Sequence, residues 1–362
     1  MVRETRRKSD PTRTPGATLM SGTSTLDRYS RQTLFGPIGK DGQKRLGDSS
    51  VAIIGCGALG TVIANNLCRA GIGSLVIADR DYIELNNLQR QILFDEEDIS
   101  RRLPKAIAAA EKLHRVNSTT KIEALVEDIN ADGIESLVQN VGLVLDATDN
   151  FETRYLLNDA CVKYGRPWIY SAVIASYGVT MNIIPGDTPC LRCIFPEMPL
   201  PGTTPTCDTA GVLNGIVGAI AGVATTEALK LLLHSDKVSR AMFWMDVWEN
   251  TSERIELPRQ PNCPTCGLHQ YEFLDSLNGT SSASLCGRNA VQVRSGRKHD
   301  KIHLADLAER LRPVGQVSFN EFLLRFIVDE YELTIFPDAR AIIKGTDDEQ
   351  VALSVYSRYI GM

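Results

Sequence analysis

The chain has 362 residues, 39 Lys+Arg against 44 Asp+Glu, a formal net charge of -5 and 43% hydrophobic residues. That balance excludes a nucleic-acid binder working by bulk charge attraction, and the apolar content excludes wholesale disorder. Length allows one large domain plus a small one, or two of middling size. Nine cysteines in a chain this long are not a secreted disulfide scaffold, and four of them form two CxxC pairs. That usage fits metal binding in a reducing, cytoplasmic compartment.

Residues 1–25 mix basic residues with Ser, Thr, Pro and Gly and hold no apolar core of signal-peptide length. They read as a flexible tail. From about Ser49, short apolar strands alternate with helical patterns. "SVAIIG", "SLVIAD", "KIEALVED" and "GLVLDAT" read as strands; "ALGTVIANNLCRAG", "PKAIAAAEKLHRV", "ADGIESLVQN" and "FETRYLLNDACVKYG" read as helices. This alternation predicts a Rossmann-like, doubly wound, mostly parallel sheet. "WIYSAVI" and "VTMNIIP" continue as strands, followed by a proline-rich connection over 186–206 that is long enough to be pinned or functional. "TAGVLNGIVGAIAGVATT" resembles a membrane span, but its small residues point to a buried helix. Gly211, Gly215, Gly218 and Gly222 would let another backbone come close. "AMFWMDV" and "SERIEL" read as strands before "PNCPTCG". Residues 269–284 read as a linker and 285–362 as a small C-terminal α/β module.

The chemistry begins at Gly55-x-Gly57-x-x-Gly60, between a strand and a helix. There backbone N–H groups and the helix N-terminus favour phosphate. Asp79 ends the next strand, where an acid can bond ribose hydroxyls. These features together predict nucleotide binding and leave the base and the reaction open. Asn87, Arg90, Gln91 and Lys105 follow, and a cationic cluster suits a triphosphate and its departing pyrophosphate, which hydride transfer would not need. "DATDN" places Asp146 and Asp149 at the end of the fourth strand. Asp149 can hold magnesium or cap the next helix, and Asn150 is also a plausible cap. Cys190-x-x-Cys193 with Cys263-x-x-Cys266 supplies four thiolates for a structural zinc. Cys207 precedes the small-residue helix, whose N-terminus would favour a thiolate nucleophile, with an inert helix-start residue as the alternative. Cys286, in "LCGRNAVQV", is a second and weaker candidate for such a covalent intermediate; Cys56, Cys68 and Cys161 sit on apolar stretches and read as core.

"RYSRQ" at 28–32, "GCGALG", Asp79, "NNLQRQ", Lys105, "DATDN", the CxxC pairs and "CDTAGV", in that order, resemble the ThiF/MoeB/HesA family, relatives of ubiquitin-activating enzymes. The resemblance covers about residues 26–268. It implies ATP-dependent adenylylation of the C-terminal Gly-Gly carboxylate of a small ubiquitin-like sulfur carrier protein, ahead of thiocarboxylate formation. It puts Asp79 on the ribose, Arg90 and Lys105 on the phosphates, Asn87 and Gln91 in orienting roles, and magnesium on Asp149. Arg31 would reach the active site of the other subunit of a homodimer, and Cys207 matches a cysteine for which some members suggest a covalent link to the carrier. A cysteine desulfurase or rhodanese would donate sulfur; no nucleic-acid or membrane partner is implied. Lys105 is preceded by "RRLP", which lacks the more usual glycine of that segment and leaves the loop shape open. The short C-terminal module leans the reading towards a ThiS-like carrier of thiamine-thiazole synthesis. The alternative is a MoaD-like carrier of molybdopterin synthesis. Readings of other classes are an NAD-dependent oxidoreductase, which the five motif-free histidines do not favour, and a non-catalytic carrier-binding scaffold.

Overall fold

The computed structural model describes residues 25–127, 129–199, 207–275, 282–285, 289–293 and 302–360. The tail up to residue 24 and Cys286 lie outside the described residues. Three short helices lead in: α1 (Thr25–Arg28), α2 (Ser30–Thr33) and α3 (Gly39–Gly47). Then β1 (Ser50–Ile54), α4 (Ala58–Ala70), β2 (Ser74–Ala78), α5 (Glu96–Ser100), α6 (Lys105–Val116) and β3 (Lys121–Leu125) follow in turn. The chain continues through α7 (Ala131–Asn140), β4 (Leu143–Asp146), α8 (Phe151–Lys163), β5 (Trp168–Ile174) and β6 (Tyr177–Ile183). After α9 (Leu191–Ile194), α10 (Cys207–Ala210) and α11 (Asn214–Leu232), β7 (Met242–Asp246) and β8 (Thr251–Ile255) complete an eight-stranded sheet.

Its order is β3-β2-β1-β4-β5-β6-β7-β8. The first five strands are parallel; β6, β7 and β8 add on as an antiparallel edge. β1 and β4 are buried on both faces, which is why they read as unbroken apolar runs. One core layer lies under α4, α6 and α11, the other under α7 and α8. The chain runs outward from β1 through β2 to β3, then returns to the other side of β1 as β4. That reversal is the topological switch point, where open α/β sheets bind ligands beyond their carboxyl ends.

α11 is long and apolar enough to cross a membrane, yet its Ile216, Val217, Ile220, Ala221, Ala224 and Ala228 fill the core against α4 and the sheet. The close backbone approach expected at its glycines is not what the fold uses. A Cβ at Gly218 or Gly222 would meet nothing within 4 Å among the described residues, and at Gly215 only the Val247 side chain at 3.9 Å. The Ile/Ala face makes the packing instead, because it carries the apolar area.

α12 (Glu272–Asp275) falls in the stretch read as linker, but Leu274 is buried and Tyr271 and Phe273 pack on the core beneath α8. The second unit starts at β9 (Ser282–Leu285) and continues through β10 (Ala290–Val293), α13 (Leu304–Leu311), β11 (Gln316–Phe319), β12 (Leu324–Val328), β13 (Tyr331–Ile335), β14 (Ala341–Lys344) and α14 (Glu349–Tyr359). It is an antiparallel sheet in the order β11-β12-β13-β14-β10-β9, with its own core of Val291, Leu307, Phe326, Leu333 and Ile343.

Candidate active site and metal centre

The glycine loop leaves β1 at the switch point. Gly55 takes φ 92°, and a Cβ there would stand 2.6 Å from the Ala147 carbonyl oxygen. A Cβ at Gly60 would stand 2.0 Å from the Gly55 carbonyl oxygen. Both glycines are therefore demanded by the fold itself. Gly57 differs: a Cβ there would meet only Gln91 Nε2 at 3.9 Å. The protein leaves that space open, as a loop must if phosphate is to approach its backbone. Gln91 overlooks the opening, buried, with its Oε1 unpartnered among the described residues. A buried acceptor without a donor is costly, and a ligand hydroxyl, amine or bound water would satisfy it. Gly57→Ala is expected to keep stability within about 1 kcal/mol while raising the KM for ATP about 10-fold or more, read by melting and steady-state kinetics.

Asp79 follows β2 and braces the loop: its carboxylate accepts from the backbone N–H of Cys56 at 2.6 Å and of Asp81 at 2.7 Å. Burial raises its pKa, and the Lys105 charge opposes that rise. Burial likewise pushes the Cys56 thiol well up, with Asp79 adding to it, so this cysteine is core and not a nucleophile. Lys105 opens α6, is 4% exposed, and lies 3.1 Å from Asp81 Oδ2. A buried lysine survives because that acid compensates it. Asp81 is a site residue that the sequence reading missed; its only signal is its place two residues after Asp79.

Asn87 is buried, and its amide is engaged in its own 3-10 turn, Leu85–Asn87, accepting from the Glu84 N–H and donating to Asn86 Oδ1. Arg90 donates to the Asn86 carbonyl at 2.7 Å and is half-buried. Asp149 is exposed just past β4, and the cap of α8 is Asn150, whose side chain accepts from the Thr153 N–H. That leaves Asp149 out of the capping role. Beneath it, Arg154 pairs with the fully buried Asp146 at 3.0 Å and donates to the Thr148 carbonyl, fixing the "DATDN" turn. Arg31 sits on α2, exposed, beside Leu34 and Phe35, which are 74% and 61% exposed.

The four CxxC sulfurs lie within 4.8 Å of one another, with Cys190 Sγ 3.5 Å from Cys263 and Cys193 Sγ 3.4 Å from Cys266. Tetrahedral zinc with thiolate ligands needs sulfurs roughly 3.8 Å apart. Four thiolates this close also need a cation to share their charge. The donor set therefore fits zinc. Two adjacent residues of α8 hold the two knuckles: Asn158 accepts from the Leu191 N–H, and Asp159 accepts from Thr265 Oγ1 and the Phe273 N–H. With the Tyr155 hydroxyl on the Phe195 and Glu197 carbonyls, they pin the described part of the proline-rich connection. Cys207 starts the four-residue α10, and Gly211 takes φ 73° before the long helix begins at Asn214. The small-residue helix therefore does not place its N-terminus on Cys207; its side chain lies outside the described residues.

A glycine loop open at the switch point, a compensated buried lysine beside it and a four-cysteine cluster that could hold a metal define an α/β protein of the doubly wound class. Residues 29–265 match the ThiF family model, and the chain belongs to that family. It is 43% identical over 337 residues to the sulfur carrier protein ThiS adenylyltransferase of Bacillus subtilis, covering 92% of this chain and 99% of that protein. It is 38% identical over 241 residues to the Escherichia coli protein of the same name, covering 66% and 94%. Among solved structures, E. coli MccB shares the fold at TM-score 0.59, with 22% identity, 68% of this chain and 74% of that one.

Proposed function

We propose that this protein adenylylates the C-terminal carboxylate of a ubiquitin-like sulfur carrier with a Gly-Gly end, of the ThiS kind. It is an adenylyltransferase of the ThiF family. The carboxylate oxygen attacks the α-phosphorus of ATP, the bond to the β-phosphate oxygen breaks, and pyrophosphate leaves with that electron pair. Such a step needs alignment and charge neutralisation more than a protein base. Lys105 and Arg90 supply cations to the phosphates, Gly57 gives them access to the backbone, Asp79 accepts from the ribose, and Gln91 and Asn87 hold the loop around them. Asp149 would hold magnesium, which neutralises phosphate charge when bound and takes one or two carboxylates plus phosphate oxygens. The four cysteines would hold zinc in a structural role.

Lys105 carries the reading. A lysine this buried at the ligand end of the sheet, held by Asp81 beside the ribose acid, is built to meet polyphosphate. Hydride transfer has no use for it. Arg31 and its exposed apolar neighbours favour a homodimer in which each subunit completes the other's site. Cys207 remains a candidate for a covalent link to the carrier, and a cysteine desulfurase or rhodanese for the sulfur donor. The test is ATP–pyrophosphate exchange that depends on both magnesium and carrier. Its absence with every Gly-Gly-ended carrier would overturn the reading, as would tight NADH binding in place of ATP.

A further inference from the structure

The segment carrying Asn87, Arg90 and Gln91 is a loop closed at a narrow neck. Tyr82 and Pro104 form an antiparallel bridge, the Lys105 N–H donates to the Asp81 carbonyl at 2.9 Å, and the Ile83 N–H donates to the Leu103 carbonyl. This neck is what sets Asp81 against Lys105. The C-terminal module holds it from both sides. Arg340, 1% exposed and stacked 3.8 Å from the Phe336 ring centroid, donates to the Arg80 carbonyl at 2.9 Å. Lys344 pairs with Glu84 and lies 5.6 Å from the Tyr82 ring centroid. On the other strand of the neck, Asn320 Nδ2 donates to the Arg101 and Arg102 carbonyls, and Arg102 donates to Ser318 Oγ. Tyr82 also packs on the apolar cluster of Ala290, Leu323, Phe336 and Ile342.

Arg102 has φ 53°, a left-handed backbone that a glycine adopts freely and an arginine does not. It belongs to the "RRLP" stretch that lacks the more usual glycine. Such a conformation persists only where the surroundings over-determine it. Here the surroundings are Asn320 and Ser318. The E. coli relative is matched over 94% of its length by 241 residues of alignment, too few to span both residues 29–265 and the module, whereas the 337-residue B. subtilis match has to take in much of the module.

We propose that the C-terminal module is a clamp, in which Arg340, Lys344 and Asn320 act as positioning residues that hold the neck of the loop 84–102 and so keep Asp81–Lys105, Arg90 and Gln91 in register for ATP. The proposal rests on reading this segment as the ATP site. In the full-length protein, Lys344→Met and Asn320→Asp each remove a grip on the neck. Asn320→Asp keeps the acceptor that Phe322 and Leu323 N–H groups use. Each variant is expected to raise the KM for ATP about 5- to 10-fold with the KM for carrier unchanged, and Lys344→Arg is expected to restore it. Hydrogen exchange over residues 80–105 is expected to speed about 10-fold with ATP absent, while β12, β13 and β14 keep their protection. Wild-type KM for ATP and unchanged exchange over 80–105 in both variants would overturn the clamp. If the wild type itself shows no ATP–pyrophosphate exchange, the adenylylation reading fails, and the hydrogen-exchange result still decides the clamp.

Discussion

Arg90→Ala is expected to slow carrier-dependent ATP–pyrophosphate exchange about 10²- to 10³-fold, the range for removing one preorganised donor from a developing charge. Melting is expected to stay put, within about 0.5 kcal/mol, as for a substitution without a packing role. The separation follows from how little Arg90 does for the fold. Among the described residues its side chain makes one hydrogen bond, to the Asn86 carbonyl one turn back, and the residue is half-buried. Lys105→Ala would be a poorer test. It would strip the half-buried Asp81 and Asp79 of their cation and leave a hole where a buried lysine stood, so lost activity would mix with lost stability. The kinetics also distinguish two roles for Arg90. A fall in kcat at saturating ATP places it on the charge that develops on leaving pyrophosphate; a rise in KM alone places it on bound ATP. Arg90→Lys is expected to recover only part of the loss, since an ammonium cannot reproduce a bidentate contact. A fully active Arg90→Ala enzyme would remove this residue from the site.

The parallel half of the sheet was legible because β1 and β4 are buried on both faces and so write continuous apolar runs. The candidate site was legible through residues whose type is dictated locally, namely Gly55, Gly60 and Asp79, and the cysteine cluster through its two CxxC pairs. Spacing alone could not separate the glycines. Gly55 and Gly60 answer to contacts inside the protein, and Gly57 answers to space left for something else. The residues that were missed act across the fold. Asp81 matters only because the Tyr82–Pro104 bridge brings Lys105 to it. Arg154 matters because α8 lays it over Asp146, and Asn158 and Asp159 because the same helix turns them toward two different knuckles. No periodicity marks such residues, since a polar side chain on a buried helix face looks like a break in the apolar pattern. The helix boundary after Cys207 differs for a related reason. Its neighbours read as one helix, but Gly211 in the left-handed region divides them into two.

Metal removal is expected to have the largest effect on the fold and a small one on the nucleotide loop. Cys263→Ser should lower zinc content from one ion per chain towards none and cost on the order of 3–5 kcal/mol of stability. That is less than the about 10–16 kcal/mol by which zinc holds small finger peptides, because here a large core folds around β1 and β4 without the metal. The loss arises where the knuckles meet. Cys190, Cys263 and Cys266 are at most 3% exposed, so without a cation the cluster has no solvent to share its charge, and a serine hydroxyl at 263 is a buried polar group in place of a metal ligand. Asn158 would still hold the Leu191 N–H and Asp159 the Thr265 hydroxyl, which anchors α9 and the 263–266 turn separately to α8. Proteolysis is therefore expected to concentrate in the proline-rich connection. ATP affinity should hold within about threefold, since the glycine loop is braced by Asp79 and the Ala147 backbone rather than by the knuckles. Elemental analysis and melting of the wild type and the variant give the answer. A zinc-free wild type with the same melting temperature as Cys263→Ser would sink the structural role assigned to the cluster.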